Sequence, residues 1–211
     1  MPTPDVVISH SVFTRKGCER IAPASFKLAE TRKKHLTIVH KANVIKMGTG
    51  FFRDICYDVG KKYYPDVIVD DYHIDAMTSH MVKRLKDFDV IVTTNLYGDI
   101  LSDLAGELTG SLGLGPSINT NDTQCMAQAA HGSAPDIAGK NIANPVGLML
   151  SAVMMCGWLA VNHNEPKFKA AADAMQEAIL ETMEAGTLTP DMGGKETTTS
   201  FTDAVIEVLQ K

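Results

Sequence analysis

The chain has 211 residues, 45% hydrophobic and 21% charged, with a formal net charge of −5 at pH 7. That length holds one large domain or two small ones, and the composition is that of a globular protein. The acidic balance, with only short basic clusters at Arg32-Lys33-Lys34 and Lys61-Lys62, excludes nucleic acid as the main partner, since phosphate neutralisation needs many clustered cations. Four scattered cysteines (Cys18, Cys56, Cys125, Cys156), with no CxxC and no zinc spacing, read as reduced thiols of a cytoplasmic protein. The opening "MPTPDVVISH" lacks the basic-then-apolar order of a signal peptide. The most apolar stretch, residues 145–161, is too short and too interrupted by Gly and Ser for a membrane span, and reads as a buried helix.

In chain order, "DVVIS" (5–9) is a β-branched run and is expected to be a strand. A helix follows from Thr14, with Cys18, Ile21, Phe26 and Leu28 inward and Pro23 either kinking it or near its start. "HLTIVH" reads as a strand. "GTGFFRDICYDVGKKY" reads as a helix burying Phe51, Phe52, Ile55, Cys56 and Val59, with lysines at its C-terminal end. "DVIVD" (66–70), the helix "HIDAMTSHMVKRL", the strand "FDVIVTT" and the helix "GDILSDLAGE" continue the alternation, which signals an α/β protein with a mainly parallel sheet. After residue 110 the texture changes to Gly-rich loop and turn through residue 124, then a loop from His131 to Asn144. Helices at 145–161, 166–185 and 198–210 close the chain. The expected division is 1–109 and 110–211.

Asp99 and Asp103 stand four apart, so they share one helical face one turn apart. Two like charges there call for compensation by solvent, a basic partner or a bound cation. Both follow the strand "FDVIVTT", at the strand end where α/β sheets place their sites. With Asp75, at the start of another helix, they form an oxygen set suited to Mg²⁺ or Mn²⁺, although paired aspartates are more often simply solvated. Lys41 directly follows the strand "HLTIVH"; beside a cation its amine would favour the neutral form and serve as a base. The loop 131–145, stiffened by Pro135 and Pro145, carries His131, Gly132, Asp136 and Asn144. It suits a nucleotide, with a carboxylate for ribose hydroxyls, or else is a structured loop in which Asn144 caps a helix. "GSLGLG" has the wrong spacing for a standard Rossmann fingerprint.

The segments "HKANVIKM", "IDAMTSHMV", "FDVIVTTNLYGDILSDLAGELTGSLGLGPS", "HGSAPDIAGKNIANP" and "TPDMGGKETTTSFTDAV" resemble, in order and spacing, the isocitrate/isopropylmalate dehydrogenase family. The resemblance implies that family's α/β fold: a mixed, largely parallel sheet with flanking helices, with 1–109 as the small dimerisation domain and 110–211 as the C-terminal part of the large NAD-binding domain. It implies Lys41 as catalytic lysine, Asp75, Asp99 and Asp103 as Mg²⁺ or Mn²⁺ ligands, His131 and Asn144 as adenine contacts, and Gly132 as a further cofactor-binding residue. Asp136 is implied as the acidic residue that reads the ribose of NAD. It also implies a homodimer that shares its active sites, with the lysine and one aspartate coming from the partner.

Against the family pattern, the chain is expected to lack the N-terminal part of the large domain, with its glycine-rich loop, its arginine-bearing helix and a catalytic tyrosine. Gln128 and Ala129 stand where relatives carry an acidic residue and proline. The expected function is oxidative decarboxylation of a 2-hydroxy-3-carboxy acid of the 3-isopropylmalate or isocitrate type, with NAD. The alternative is a non-catalytic or regulatory dimerisation subunit.

Overall fold

A computed structural model describes residues 3–211; Met1 and Pro2, which open the segment expected to carry no leader, lie outside the described residues. Chain contacts divide the protein into Met1–Leu101 and Ser102–Lys211. The division falls within a helix, ahead of the glycine-rich turn where the texture of the sequence changes.

In the first unit, β1 (His35–His40), β2 (Ile68–His73) and β3 (Val90–Thr93) form a parallel sheet in the order β2-β1-β3. Central β1 is buried along almost its whole length, as parallel strands covered on both faces are. Edge strand β2 starts later than the run "DVIVD" suggests, because its limits are set by pairing with β1, from His35 opposite Ile68 to His40 opposite His73. The helices are α1 (Arg15–Glu30), α2 (Gly48–Tyr63), α3 (Ile74–Arg84) and α4 (Asn95–Leu108), the last running into the second unit.

Thr14 caps α1, its hydroxyl accepting the Gly17 N–H at 3.1 Å. Pro23 lies inside α1, removing one intrahelical donor without ending the helix. Cys18, Ala22, Ser25, Phe26 and Ala29 form the buried face, and Ile21 and Leu28 do not: they are 46% and 52% exposed. The expected inward set mixed two faces, whereas a 3.6-residue period through Phe26 selects small residues on either side of it. Phe26 then packs with Leu36, Ile38, Phe52, Ile55 and Cys56 as the core of this unit. Burial pushes the Cys56 thiol up to about 12, so it stays protonated and unreactive at neutral pH.

Residues 5–9 do not form the expected strand. One antiparallel bridge joins Thr3 and Val6, and Val7 and Ile8 are exposed. A β-branched run favours extended backbone, but a strand also needs a neighbouring backbone, and none pairs there among the described residues.

The second unit holds a structure hidden by its composition. β4 (Pro116–Thr120) and β5 (Cys125–Ala129) pair as an antiparallel hairpin where the sequence reads as loop through residue 124. Pro116 is tolerated as the first residue of its strand. Asn121 closes the turn, its Oδ1 accepting the N–H groups of Thr123 and Gln124, both at 2.8 Å. α5 (Val146–Asn162), α6 (Pro166–Glu184) and α7 (Thr198–Leu209) agree with the three expected helices to within a residue or two. Val146, Val153, Ala178, Ile179, Phe201 and Val205 are central to their shared core. α5, expected to be a buried helix, buries one face, with Val146 and Val153 inward and Leu148 and Val161 exposed. No described helix is long and apolar enough to cross a membrane.

A capping box opens α7: the Thr197 hydroxyl accepts the Ser200 N–H at 3.0 Å, and the Ser200 hydroxyl accepts the Thr197 N–H at 2.9 Å. Thr197→Ala is expected to destabilise the protein by about 1 kcal/mol, measured by urea unfolding, with Glu207→Ala, exposed further along the same helix, as the comparison that leaves the box intact.

Candidate active site

β1 ends at His40, and Lys41 begins a turn held by its own backbone. The Lys41 N–H donates to Thr49 Oγ1 at 3.1 Å, and its carbonyl accepts from Val44 and Ile45 at 3.0 and 2.8 Å. Asp75 enters in the first turn of α3, immediately after β2. Because His40 lies opposite His73 in the parallel pair, the chain leaves both strands at the same end of the sheet. There the Lys41 ammonium and the Asp75 carboxylate form an ion pair. The carboxylate side chain is 65% exposed and that of the lysine 22%. The bond from Lys41, ahead of smaller contributions, holds the Asp75 carboxyl below its ordinary range and therefore ionised. Sequence spacing could not show this pairing; strand register does.

Asp99 and Asp103 both lie on α4 and are exposed, while Leu101 between them is buried. The helix thus turns its apolar residue inward and its two carboxylates outward. Among the described residues no group of three His, Cys, Asp or Glu side chains is placed to hold a metal ion within one chain. What one chain presents is Asp75 with Lys41, and two carboxylates on α4.

Residues of the 131–143 loop, among them His131, Gly132, Ala134, Ile137 and Asn141, line with Thr198 a cavity of about 420 Å³ within the second unit. Thr198 ties the loop to α7, its N–H donating to Asn141 O at 3.0 Å and its hydroxyl to Ala143 O at 2.5 Å. Ala134 takes a left-handed conformation (φ 42°) just before the 3₁₀ turn Pro135–Ile137. An alanine held there stores roughly 1–2 kcal/mol of local strain, a cost often seen at ligand-binding turns. Of the four expected cofactor residues, His131 and Gly132 line the cavity. Asp136 is exposed in the 3₁₀ turn beside lining residue Ile137.

Asn144 is different: its side chain is buried and committed. Oδ1 accepts the Val146 N–H at 3.0 Å at the head of α5, and Nδ2 donates to Asp191 Oδ2 at 3.0 Å. The Asn144 side chain thus folds back on the backbone two residues on and holds Asp191, while the N-cap of α5 is Pro145, which makes no side-chain cap bond.

Asp191, quoted in "TPDMGG" but given no role, is the residue that sequence reasoning missed here. Its Oδ2 also accepts from the Ser111 hydroxyl at 2.5 Å, and its Oδ1 from the Thr189 hydroxyl at 2.6 Å. Ser111 in turn accepts the Gly113 N–H at 3.1 Å. The approach is so close that a Cβ on Gly113 would lie 2.9 Å from the Asn144 Cβ. Burial pushes the Asp191 carboxyl up, but the bonds from Ser111, Thr189 and Asn144 outweigh it and hold it below the ordinary range. A depressed folded-state value contributes stability above the unfolded value, near 3.9, and loses it as pH falls through the folded one. Thermal midpoints of wild type and Asp191→Asn should therefore differ by a constant amount at neutral and mildly acidic pH and converge only below about pH 4.

The isocitrate/isopropylmalate dehydrogenase family model matches residues 2–205 of the chain. The isocitrate/homoisocitrate dehydrogenase of Thermus thermophilus is 47% identical over 207 residues, covering 98% of this chain and 60% of that protein. Catalytic subunit 5 of the mitochondrial NAD isocitrate dehydrogenase of Arabidopsis thaliana is 42% identical, covering 97% of this chain and 53% of the relative. Among solved structures, the isocitrate dehydrogenase of Methylococcus capsulatus superposes with a TM-score of 0.89 at 40% identity, covering 97% of this chain and 59% of that one. The chain thus spans between half and three-fifths of the length of these relatives. Fold, the family match over residues 2–205 and alignments that cover 97–98% of the chain agree, and the chain belongs to the isocitrate/isopropylmalate dehydrogenase family.

Proposed function

We propose that this chain carries the base, the metal-binding carboxylates and the adenosine-binding loop of an NAD-dependent dehydrogenase that oxidises and decarboxylates a 2-hydroxy-3-carboxy acid of the isocitrate or 3-isopropylmalate type. The observation that carries the reading is the Lys41–Asp75 pair, brought together from a turn and a helix start at one end of a parallel sheet. In this reading Lys41, released from Asp75 and neutral beside a bound cation, would take the proton of the substrate hydroxyl. Asp75, Asp99 and Asp103 are the metal ligands; their hard oxygens, exposed and in Asp75 firmly ionised, fit Mg²⁺ or Mn²⁺. A divalent cation held there would acidify the hydroxyl and stabilise enolate charge as CO₂ leaves.

His131 and Gly132 offer a cavity for adenine, and Asp136 a carboxylate for the ribose hydroxyls, which favours NAD over a 2′-phosphorylated cofactor. The reading includes a homodimer with shared active sites, the lysine and one aspartate of each site coming from the partner copy.

Purified chain incubated with NAD, Mn²⁺ and a panel of 2-hydroxy-3-carboxy acids should produce NADH, followed by its near-ultraviolet absorbance. Calorimetry should register Mn²⁺ binding that Asp103→Asn abolishes. A chain that forms dimers, binds no Mn²⁺ and makes no NADH would instead be a non-catalytic dimerisation subunit.

A further inference from the structure

Beneath Lys41 runs a chain of hydrogen bonds that the dehydrogenase reading leaves unused. His40, the last residue of β1, is 1% exposed. Its Nδ1 accepts the backbone N–H of Ala42 at 3.0 Å, so that nitrogen bears no proton and Nε2 carries it. Nε2 faces Asp71 Oδ2 at 2.6 Å, and the Tyr57 phenol donates to Asp71 Oδ1 at 2.5 Å. Strand register explains the meeting. Ile38 lies opposite Asp71 and His40 opposite His73, so His40 and Asp71 are diagonal neighbours on one face of the sheet. Tyr57 reaches that face from α2, and the His73 ring packs edge-on against His40 at 5.1 Å between centroids.

The protonation states agree with one another. Burial pushes the Asp71 carboxyl up, but the bonds from Tyr57 and His40 outweigh it and hold the group ionised. Burial first, then the bond to Asp71, push the Tyr57 phenol up and keep it a donor. An anionic Asp71 accepts from a protonated Nε2, which leaves Nδ1 as the acceptor that Ala42 needs. With the Lys41 N–H on Thr49, both amides flanking the Lys41 side chain are pinned.

We propose that Tyr57, Asp71 and His40 form a positioning relay for the Lys41 amine. Asp71 keeps the imidazole proton on Nε2, Nδ1 then captures the Ala42 N–H, and the fixed turn aims Lys41 at Asp75. The three are positioning residues that act through the turn backbone, and their importance for turnover rests on reading Lys41 as the base. An amine displaced by about 1 Å can cost on the order of a hundredfold in rate, so such a fixture matters to a base.

The test uses the full chain labelled with ¹⁵N-histidine at neutral pH. The expected spectrum shows His40 Nδ1 as an unprotonated acceptor and Nε2 as a protonated donor. His40→Leu fills the site without an acceptor: the Ala42 amide should exchange about tenfold faster, and the Asp75 carboxyl resonance should shift as Lys41 leaves it. His40→Asn places a carboxamide oxygen near the Nδ1 position and should bring Ala42 exchange back to within about threefold of wild type. A proton on Nδ1 in the wild-type chain overturns the proposal, as does unchanged Ala42 exchange in folded His40→Leu. If the leucine variant does not fold, the wild-type tautomer and the asparagine variant still decide. The expected tautomer and rescue in a chain without turnover would uphold the relay and overturn the dehydrogenase reading.

Discussion

Lys41→Met is expected to lower kcat by about 10²–10⁴-fold while leaving Mn²⁺ affinity within a few fold, because methionine keeps the stem of the side chain and removes only the proton acceptor. The loss should fall on kcat and kcat/KM alike, as for a group whose contribution is made in the transition state. A second readout does not depend on turnover. The Lys41 bond is the main influence holding the Asp75 carboxyl down, so the Asp75 titration should move up towards the ordinary aspartate range in the variant. Carbon-13 spectra of the carboxyl resonances would follow it. Unchanged turnover in Lys41→Met would remove the base assignment outright. An unmoved Asp75 titration would show that the ion pair does not persist in solution.

Phe26→Ala is the substitution expected to harm the fold most. The ring is fully buried, stacks on Tyr64 with centroids 4.9 Å apart and planes 6° from parallel, and fills the space above Gly60. A Cβ on Gly60 would come within 2.6 Å of the Phe26 ring tip, which leaves the neighbouring helix little freedom to close a void. Truncation should therefore cost about 3–5 kcal/mol in urea unfolding, a large part of the ~5–15 kcal/mol typical of a domain. Ile21→Ala, on the exposed side of the same helix, is the control and should stay below roughly 1 kcal/mol. A comparable loss at both positions would mean that the inward face of α1 is placed incorrectly.

The parts of the protein that could be read from sequence are those with a local period. The three closing helices carry long apolar repeats with prolines or threonines at their starts, and their limits follow from that. The parallel sheet follows from short β-branched runs alternating with helices. Lys41, Asp75, Asp99 and Asp103 stand out because charged residues directly after strands or among small apolar residues need an explanation.

The rest depends on distant partners. Nothing local distinguishes Ile21 from Phe26 as the inward residue; the packing of α2 does. The β4–β5 hairpin has only two β-branched residues in its strands, Ile118 and Thr120, and the antiparallel register reveals it. His40 and Asp71 are separated by a helix and a strand's length in sequence, so their meeting is a property of register. The Asn144 side chain looks available to a ligand until Asp191, 47 residues later, is seen to hold it.

The knot at Asp191 has a dynamic consequence. One carboxylate links the turn at Ser111, the start of α5 through Asn144, and the segment ahead of α7 through Thr189. Displacing that carboxylate strands the Ser111, Asn144 and Thr189 donors together, whereas loosening one donor alone leaves the other two bonded. An excursion of Asp191 would therefore release these segments, close to the cavity lined by the 131–143 loop, as one cooperative event.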